Sequence, residues 1–312
     1  MNTDWEIFCV VSWKHKGTPE RVEGALKDQD KDRVHIIRHD LEAPFTEQTK
    51  KRLGHIDYIL NIASNSHVDR SIEEPRPFFE GNVQSVLTML ELARETKPSL
   101  FLQFSTDEVY GPAPKGIDYP EWSMIRPSNP YSGSKAAQEA AAFSYWRTFG
   151  VPLIITNTMN LVGQTQDPEK FPAKCVRKVY NGEMVTIHGT PEDIGSRYYI
   201  HARNAADAVL FIVNNLPPKA YEEDVVTEPD RYNIVGETEL NNLEFAELTA
   251  KILGKELKYE FENFHKTRPG HDRRYALSGE KLRKLGWKPP EDFEESWKRS
   301  IDWTLEHKEQ WL

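Results

Sequence analysis

Short apolar runs alternate with longer amphipathic stretches along the first half of the chain. Residues 6–11, 34–39, 57–63, 100–105 and 152–157 read as short buried strands. Residues 78–95 repeat their apolar positions at helical spacing, with Val83, Val86, Leu87, Leu90, Leu92 and Ala93 on one face. A polar helix is predicted from Glu20 onward and a helix body over 138–149. Strands separated by helices predict an α/β fold with a parallel sheet covered on both faces. Ligands of such sheets bind beyond the carboxyl ends of the strands. That rim would gather Asp40, Ala63, Ser64, Thr106, Asp107, Glu108 and Asn160.

The alternation weakens after Gly163. Helices are predicted over 171–180, 203–215 and 243–253, separated by short strands and proline-rich loops. This divides the chain into a nucleotide-binding body, 1–160, and a smaller α/β lobe, 161–312, facing the substrate. The longest linker-like stretch is 217–229, and no internal repeat is evident.

Composition narrows the class. With 38% apolar and 29% charged residues in 312, the chain has the balance of a folded soluble protein. No stretch approaches the roughly 20 apolar residues of a spanning helix, and no basic leader with an apolar region opens it. Two cysteines, Cys9 and Cys175, lack metal-ligand spacing, so a reduced cytoplasmic protein is expected. A net charge of -9 disfavours nucleic-acid binding. None of the ten histidines forms a paired metal motif.

The candidate chemistry lies between two blocks. Tyr131 and Lys135 are four apart, so a helix starting near Pro130 puts both on one face. An ammonium beside a phenol stabilises phenolate and makes tyrosine a usable base. Alone, the spacing fits an exposed pair as well as a catalytic one. Ser105 and Thr106 at a strand end add a hydroxyl that can orient a substrate alcohol. Asp107 and Glu108 either cap the following turn or act as a general acid and base, tuned apart by their surroundings.

The blocks SHVDRSI (66–72), FSTDEVYG (104–111), NPYSGSK (129–135), QDPEKFPAK (166–174) and RPGHDRRYAL (268–277) resemble, in this order, the extended short-chain dehydrogenase/reductase superfamily. Within it the chain is most similar to the nucleotide-sugar 4,6-dehydratases acting on dTDP-glucose. The resemblance covers nearly the whole chain. It implies a Rossmann-like doubly wound sheet, tightly held NAD, a nucleotide-diphosphate sugar as substrate with dTDP-glucose favoured, and a homodimer. It also implies roles. Tyr131, assisted by Thr106 and Lys135, oxidises the sugar's fourth position; Glu108 removes the proton at the fifth carbon; Asp107 protonates the hydroxyl leaving the sixth.

By the same resemblance, Asp40, Leu41, Ala63, Ser64, Ser66 and Asn82 would contact the cofactor with Tyr131 and Lys135. Asn160, Lys170, Arg197, Asn233, Arg268 and His271 would hold the diphosphate and nucleotide, where arginine offers bidentate contacts. Read without the family, Asp40 fits a cap or turn equally well, and Arg273-Arg274 a solvated or ion-paired couple.

Three departures from the family's pattern stand out. The opening strand and its glycine-rich turn, where backbone amides receive a pyrophosphate, are missing, and the lost strand is central in the usual sheet order. The strand over 6–11 ends Val10-Val11-Ser12 where an acid would hold the adenosine ribose; Lys14 and Lys16 nearby make NADP a second cofactor reading. Asn65 replaces an acid, and SRYYIH (196–201) replaces the usual RDW-containing block. An epimerase or related nucleotide-sugar modifier, or a non-catalytic sugar-nucleotide-binding protein, are the alternatives these departures leave.

Overall fold

Six parallel strands carry the first body, in two hydrogen-bonded groups. The computed structural model describes residues 3–14, 17–26, 32–222, 228–263 and 273–312. Strand β1 (Ile7–Val11) pairs with β2 (Val34–Arg38), with α1 (Pro19–Glu23) between them in sequence. The larger group runs β10-β5-β4-β3, built from β3 (Tyr58–Asn61), β4 (Leu100–Thr106), β5 (Leu153–Thr158) and β10 (Asp230–Ile234). Strands β4, β5 and β10 are almost wholly buried, which fits runs with no polar face. Strand β10 comes from the second half of the chain, so the chain returns to complete its first sheet.

Among the described residues the two groups are not hydrogen-bonded to each other, and β1 and β3 each keep an unpaired edge. In the doubly wound order 3-2-1-4-5-6, β2 and β1 take the third and second places, and β3, β4 and β5 take the fourth to sixth. The break between the two groups falls at the central place of that order. Both groups still share one core. Phe8 and Val10 of β1 pack against a cluster containing Ile37, Ile59, Met89 and Leu153, and the Trp5 and Tyr58 rings lie 5.2 Å apart. Ile62, just beyond β3, is 53% exposed, a large apolar side chain left at the break.

The helices α2 (Glu47–Leu53), α3 (Val68–Glu73), α4 (Pro75–Thr96) and α5 (Pro130–Phe149) complete this body. Helix α4 starts with Pro75 in its first turn and stops at Lys97 in the left-handed region. Helix α5 opens with a capping box, the Asn129 side chain and the Ser132 backbone and hydroxyl satisfying each other, worth about 1 kcal/mol. Its inward face is polar rather than apolar: Ser132, Ser134, Lys135, Gln138 and Glu139 are all buried against the sheet. Each of these side chains has a hydrogen-bond partner, the condition for burying them without a large penalty.

Beyond β6 (Asn160–Val162), the second lobe uses α6 (Phe171–Asn181), β7 (Val185–Thr190), β8 (Asp193–Ile194), β9 (Ser196–His201) and α7 (Ala202–Asn215). It continues after β10 with β11 (Thr238–Asn241), α8 (Asn242–Leu253), β12 (Tyr259–Glu262), β13 (Arg274–Tyr275), α9 (Glu280–Lys284), α10 (Phe293–Glu306) and α11 (Lys308–Trp311). Strand β9 pairs with β6, β11 and β13, while β12, β7 and β8 form a small separate sheet. Phe245, Tyr199, Phe293 and Trp297 centre its core. A further cluster, including Leu102, Ile154, Ile200, Ile212 and Ile234, joins α7 to the far face of the main sheet. No described helix is long and apolar enough to cross a membrane.

Candidate active site

A cavity of about 540 Å³ opens at the carboxyl ends of β3, β4 and β5, between the sheet and the second lobe. Thr106, Asp107, Glu108, Tyr131 and Lys135 all face it, with Ser64, Ser66, Asn160, Lys170 and Arg197. Ten of the residues singled out from sequence therefore meet in one place.

Strand β4 delivers the first three. It ends at Thr106, whose hydroxyl accepts the Glu108 amide (3.3 Å) and caps a single 3-10 turn, Asp107–Tyr110. Val109 and Tyr110 anchor this turn from below, fully buried. The capping reading and the catalytic reading thus describe the same turn, but the cap is Thr106 and the acids stay available. The Asp107 carboxyl is buried, with one oxygen accepting from Thr106 Oγ1 at 2.8 Å and Oδ2 without a hydrogen-bond partner. Burial, reinforced by the nearby Glu108 charge, pushes its pKa up to about 7, while Thr106 and Arg197 pull it down. Glu108 Oε2 accepts from the Asn129 side chain at 3.1 Å, which ties the acid to the start of α5.

Gly111 ends the turn at φ 72° and ψ -165°, a region reserved for glycine, and a Cβ there would lie 2.3 Å from the Arg126 carbonyl oxygen. Gly111→Ala is expected to destabilise the protein by about 3 kcal/mol and to displace the acids. Chemical denaturation compared with native protein checks this; an unchanged midpoint would show that the loop yields freely.

Helix α5 delivers Tyr131 and Lys135, and here the structure departs from the simple pairing of phenol and ammonium. Lys135 Nζ donates to the Phe104 carbonyl (2.8 Å) and to Gln138 Oε1 (2.6 Å). Burial lowers its pKa to about 8, against the opposing charge of Glu139. The Tyr131 phenol is held above its usual range by burial first and then by Glu108, with the Thr106 hydroxyl acting the other way. The Phe104 carbonyl of β4 and Gln138, on the next turn of α5, claim the ammonium that the sequence reading paired with the phenol.

Lys170 Nζ donates to the Ser66 carbonyl at 2.8 Å, and burial lowers its pKa. Arg197 lies over the Tyr275 ring at 5.2 Å. Side chains from outside the chosen set also line the cavity, among them His67, Asp69, Gln166, Glu169, His188 and Asn242. Arg70 grips both Glu169 oxygens at 2.9 and 2.8 Å, closing one wall across 99 residues of chain. His67 and Asp69 were legible within the SHVDRSI block, and Gln166 and Glu169 within QDPEKFPAK; His188 and Asn242 carry no local signal.

Several expected ligands lie elsewhere. Asn82 is a buried cross-link: its carboxamide accepts from the Asn65 amide (2.7 Å) and donates to the Asn65 carbonyl (3.1 Å) and Ser134 Oγ (2.8 Å). Asn233 is buried beneath 111–128, its side-chain amide donating to the Tyr119 and Ser278 carbonyls. It braces the loop and is not part of the cavity wall. Ala63 is exposed beside the break in the sheet, and Leu41 packs on the adjoining core. Asp40 pairs with Lys14, which keeps its carboxylate below the usual range. Arg268, His271 and Lys16 lie outside the described residues. Arg273 pairs with Asp193, and Arg274 with Asp118 and Glu239, so the couple is ion-paired. Among the described residues no group of three or more His, Cys, Asp and Glu could hold a metal ion.

Known proteins are similar to this chain over most of their length. The Haloferax volcanii low-salt glycan biosynthesis protein Agl12 is 37% identical over 306 residues, covering 97% of this chain and 92% of its own. The Escherichia coli dTDP-glucose 4,6-dehydratase 1 is 34% identical over 273 residues, covering 80% of this chain and 72% of its own. A Streptomyces venezuelae dTDP-glucose 4,6-dehydratase solved with NAD superposes with a TM-score of 0.84 at 27% identity, covering 99% of this chain and 91% of that one. The family model described as GDP-mannose 4,6 dehydratase matches residues 1–300. With nearly the whole chain matched in sequence and in fold, it belongs to that family, within the extended short-chain dehydrogenases/reductases of the NAD-dependent epimerase/dehydratase type.

Proposed function

We propose that this chain dehydrates a nucleotide-diphosphate hexose to its 4-keto-6-deoxy form, using NAD that is regenerated in each cycle, with dTDP-glucose the favoured substrate. The observation that carries the reading is the Asp107 carboxyl: buried at the rim, with one oxygen unpartnered and a pKa near 7, beside a second carboxyl group. A simple oxidation or epimerisation needs the tyrosine and hydroxyl alone. An elimination needs a proton donor and a proton acceptor as well, and Asp107 and Glu108 supply two groups in unlike surroundings.

The cavity fits the nicotinamide end of the cofactor. Ser64, Ser66, Tyr131 and Lys135 line it at the strand ends, where a doubly wound sheet takes its ligand. At the far end the Lys14 charge is balanced by Asp40, with Glu42 at 3.9 Å, which favours NAD over a cofactor bearing an extra phosphate. NAD held by these residues would supply the hydride chemistry at the sugar's fourth and sixth carbons. Burial holds the Tyr131 phenol protonated, so it must first give up its own proton before it accepts that of the fourth hydroxyl, with Thr106 orienting that oxygen. The resulting ketone acidifies the fifth carbon, whose proton Glu108 accepts. Asp107, protonated below about pH 7, gives its proton to the hydroxyl leaving the sixth carbon, which departs as water.

The test is direct. Protein incubated with NAD and dTDP-glucose should release the 4-keto-6-deoxy sugar nucleotide. Failure across dTDP-, UDP-, GDP- and CDP-hexoses, with NAD binding demonstrated by calorimetry, would overturn the dehydratase reading. An epimer as sole product would move the assignment to an epimerase.

A further inference from the structure

The charges buried deepest beside the site play no part in that chemistry. Glu139 of α5 and Arg231 of β10 form an ion pair at 2.7 Å, each side chain only 2% exposed. A pair withdrawn from water to this degree gives back little stability, since its desolvation cost offsets most of the attraction. Its remaining contacts show where it acts. Glu139 Oε1 accepts from Ser105 Oγ and from Asn157 Nδ2 (3.0 Å). The same Asn157 amide donates to the Thr106 carbonyl at 2.9 Å. Arg231 Nη1 donates to Asn157 Oδ1 (3.1 Å) and to the Tyr110 hydroxyl (3.0 Å). The guanidinium is also covered by the Trp122 ring, 4.2 Å from its centroid.

The pair therefore grips the segment carrying Thr106, Asp107 and Glu108 directly at the Ser105 side chain and the Tyr110 hydroxyl, and through Asn157 at the Thr106 carbonyl. It does so from the helix that carries the other half of the machinery, because Glu139 follows Lys135 by one turn of α5. We propose that Glu139 and Arg231 are positioning residues that hold residues 105–110 in register with Tyr131. The inference rests on the dehydratase reading for its kinetic consequence only; the structural consequence stands apart from it.

Arginine suits the task because its planar fork reaches Glu139 with one nitrogen and Asn157 and Tyr110 with the other, which a lysine point charge cannot do. Replacing both charges by apolar groups, Glu139→Leu with Arg231→Met, should leave a folded protein, as such replacements commonly do. In that variant kcat per folded molecule should fall about 100-fold with KM changed less than about threefold, the signature of reacting groups moved while the substrate still binds. Amide hydrogen exchange over 106–110 should quicken by about tenfold or more, with α8 unaffected. Arg231→Lys, which keeps the charge, should change both readouts in the same direction by less, and serves if the double variant does not fold. A kcat within about threefold of native, or unchanged protection over 106–110, would overturn the proposal. If the native protein turns over no nucleotide sugar, the dehydratase reading fails and the exchange measurement alone decides this one.

Discussion

Glu108→Gln should lower dehydration about a thousandfold while leaving the first oxidation largely intact, within the range set by loss of a general base. Glutamine has nearly the same reach and its carbonyl can still accept from Asn129, which now donates to Glu108 Oε2 at 3.1 Å. The turn should therefore keep its shape and lose only the proton acceptor. Reduced nicotinamide should accumulate on mixing with substrate, visible as near-ultraviolet absorbance, while release of water and isotope exchange at the sugar's fifth carbon collapse. Tyr131→Phe should do the reverse and prevent the reduced nicotinamide from forming at all. The two variants separate because the groups sit on different elements, Glu108 on the turn after β4 and Tyr131 in the first turn of α5. Normal elimination by Glu108→Gln would remove Glu108 as the base without touching the fold or the family.

The contrast between these residues and the ones that hold them shows what a sequence displays. Thr106, Asp107 and Glu108 end an apolar run, so periodicity placed them at the rim of the sheet, while Tyr131 and Lys135 were joined to them by their four-residue spacing and by the family resemblance. Their supports are invisible to the same reading. Glu139 and Arg231 are 92 residues apart and meet only because β10 returns from the second half of the chain to lie beside β5. Lys14, just beyond the end of β1, pairs with Asp40, just beyond the end of the parallel β2, a contact that strand order alone does not display. Asn82 and Asn233 entered the expected set through the family resemblance, and their bracing bonds to distant parts of the chain could not be read from the sequence. The break between β1 and β3 was legible because the order of strands in a doubly wound sheet puts one further place between them.

Asp107→Asn should make the protein more resistant to alkaline conditions even as it abolishes turnover. In the unfolded chain this carboxyl ionises near pH 4, whereas in the folded protein burial and the neighbouring Glu108 charge raise its pKa to about 7. Between those values the folded state binds the extra proton, so stability declines as pH rises, by about 1.4 kcal/mol per unit for a single fully shifted group. The contribution is complete below about pH 4, is lost as pH rises through about 7, and levels off above that. A rise from near 4 to about 7 corresponds to a loss of about 4 kcal/mol by pH 8. Asparagine carries no such liability, and its carbonyl can still accept from Thr106, which now donates to Oδ1 at 2.8 Å. The melting temperature of Asp107→Asn minus that of native protein should therefore grow by roughly 5 °C between pH 4.5 and 8. Native turnover should fall over the same rise, because the leaving hydroxyl loses its proton donor. A melting difference that stays flat with pH would show that Asp107 is ionised in the folded protein throughout, and another group would then have to protonate the leaving oxygen.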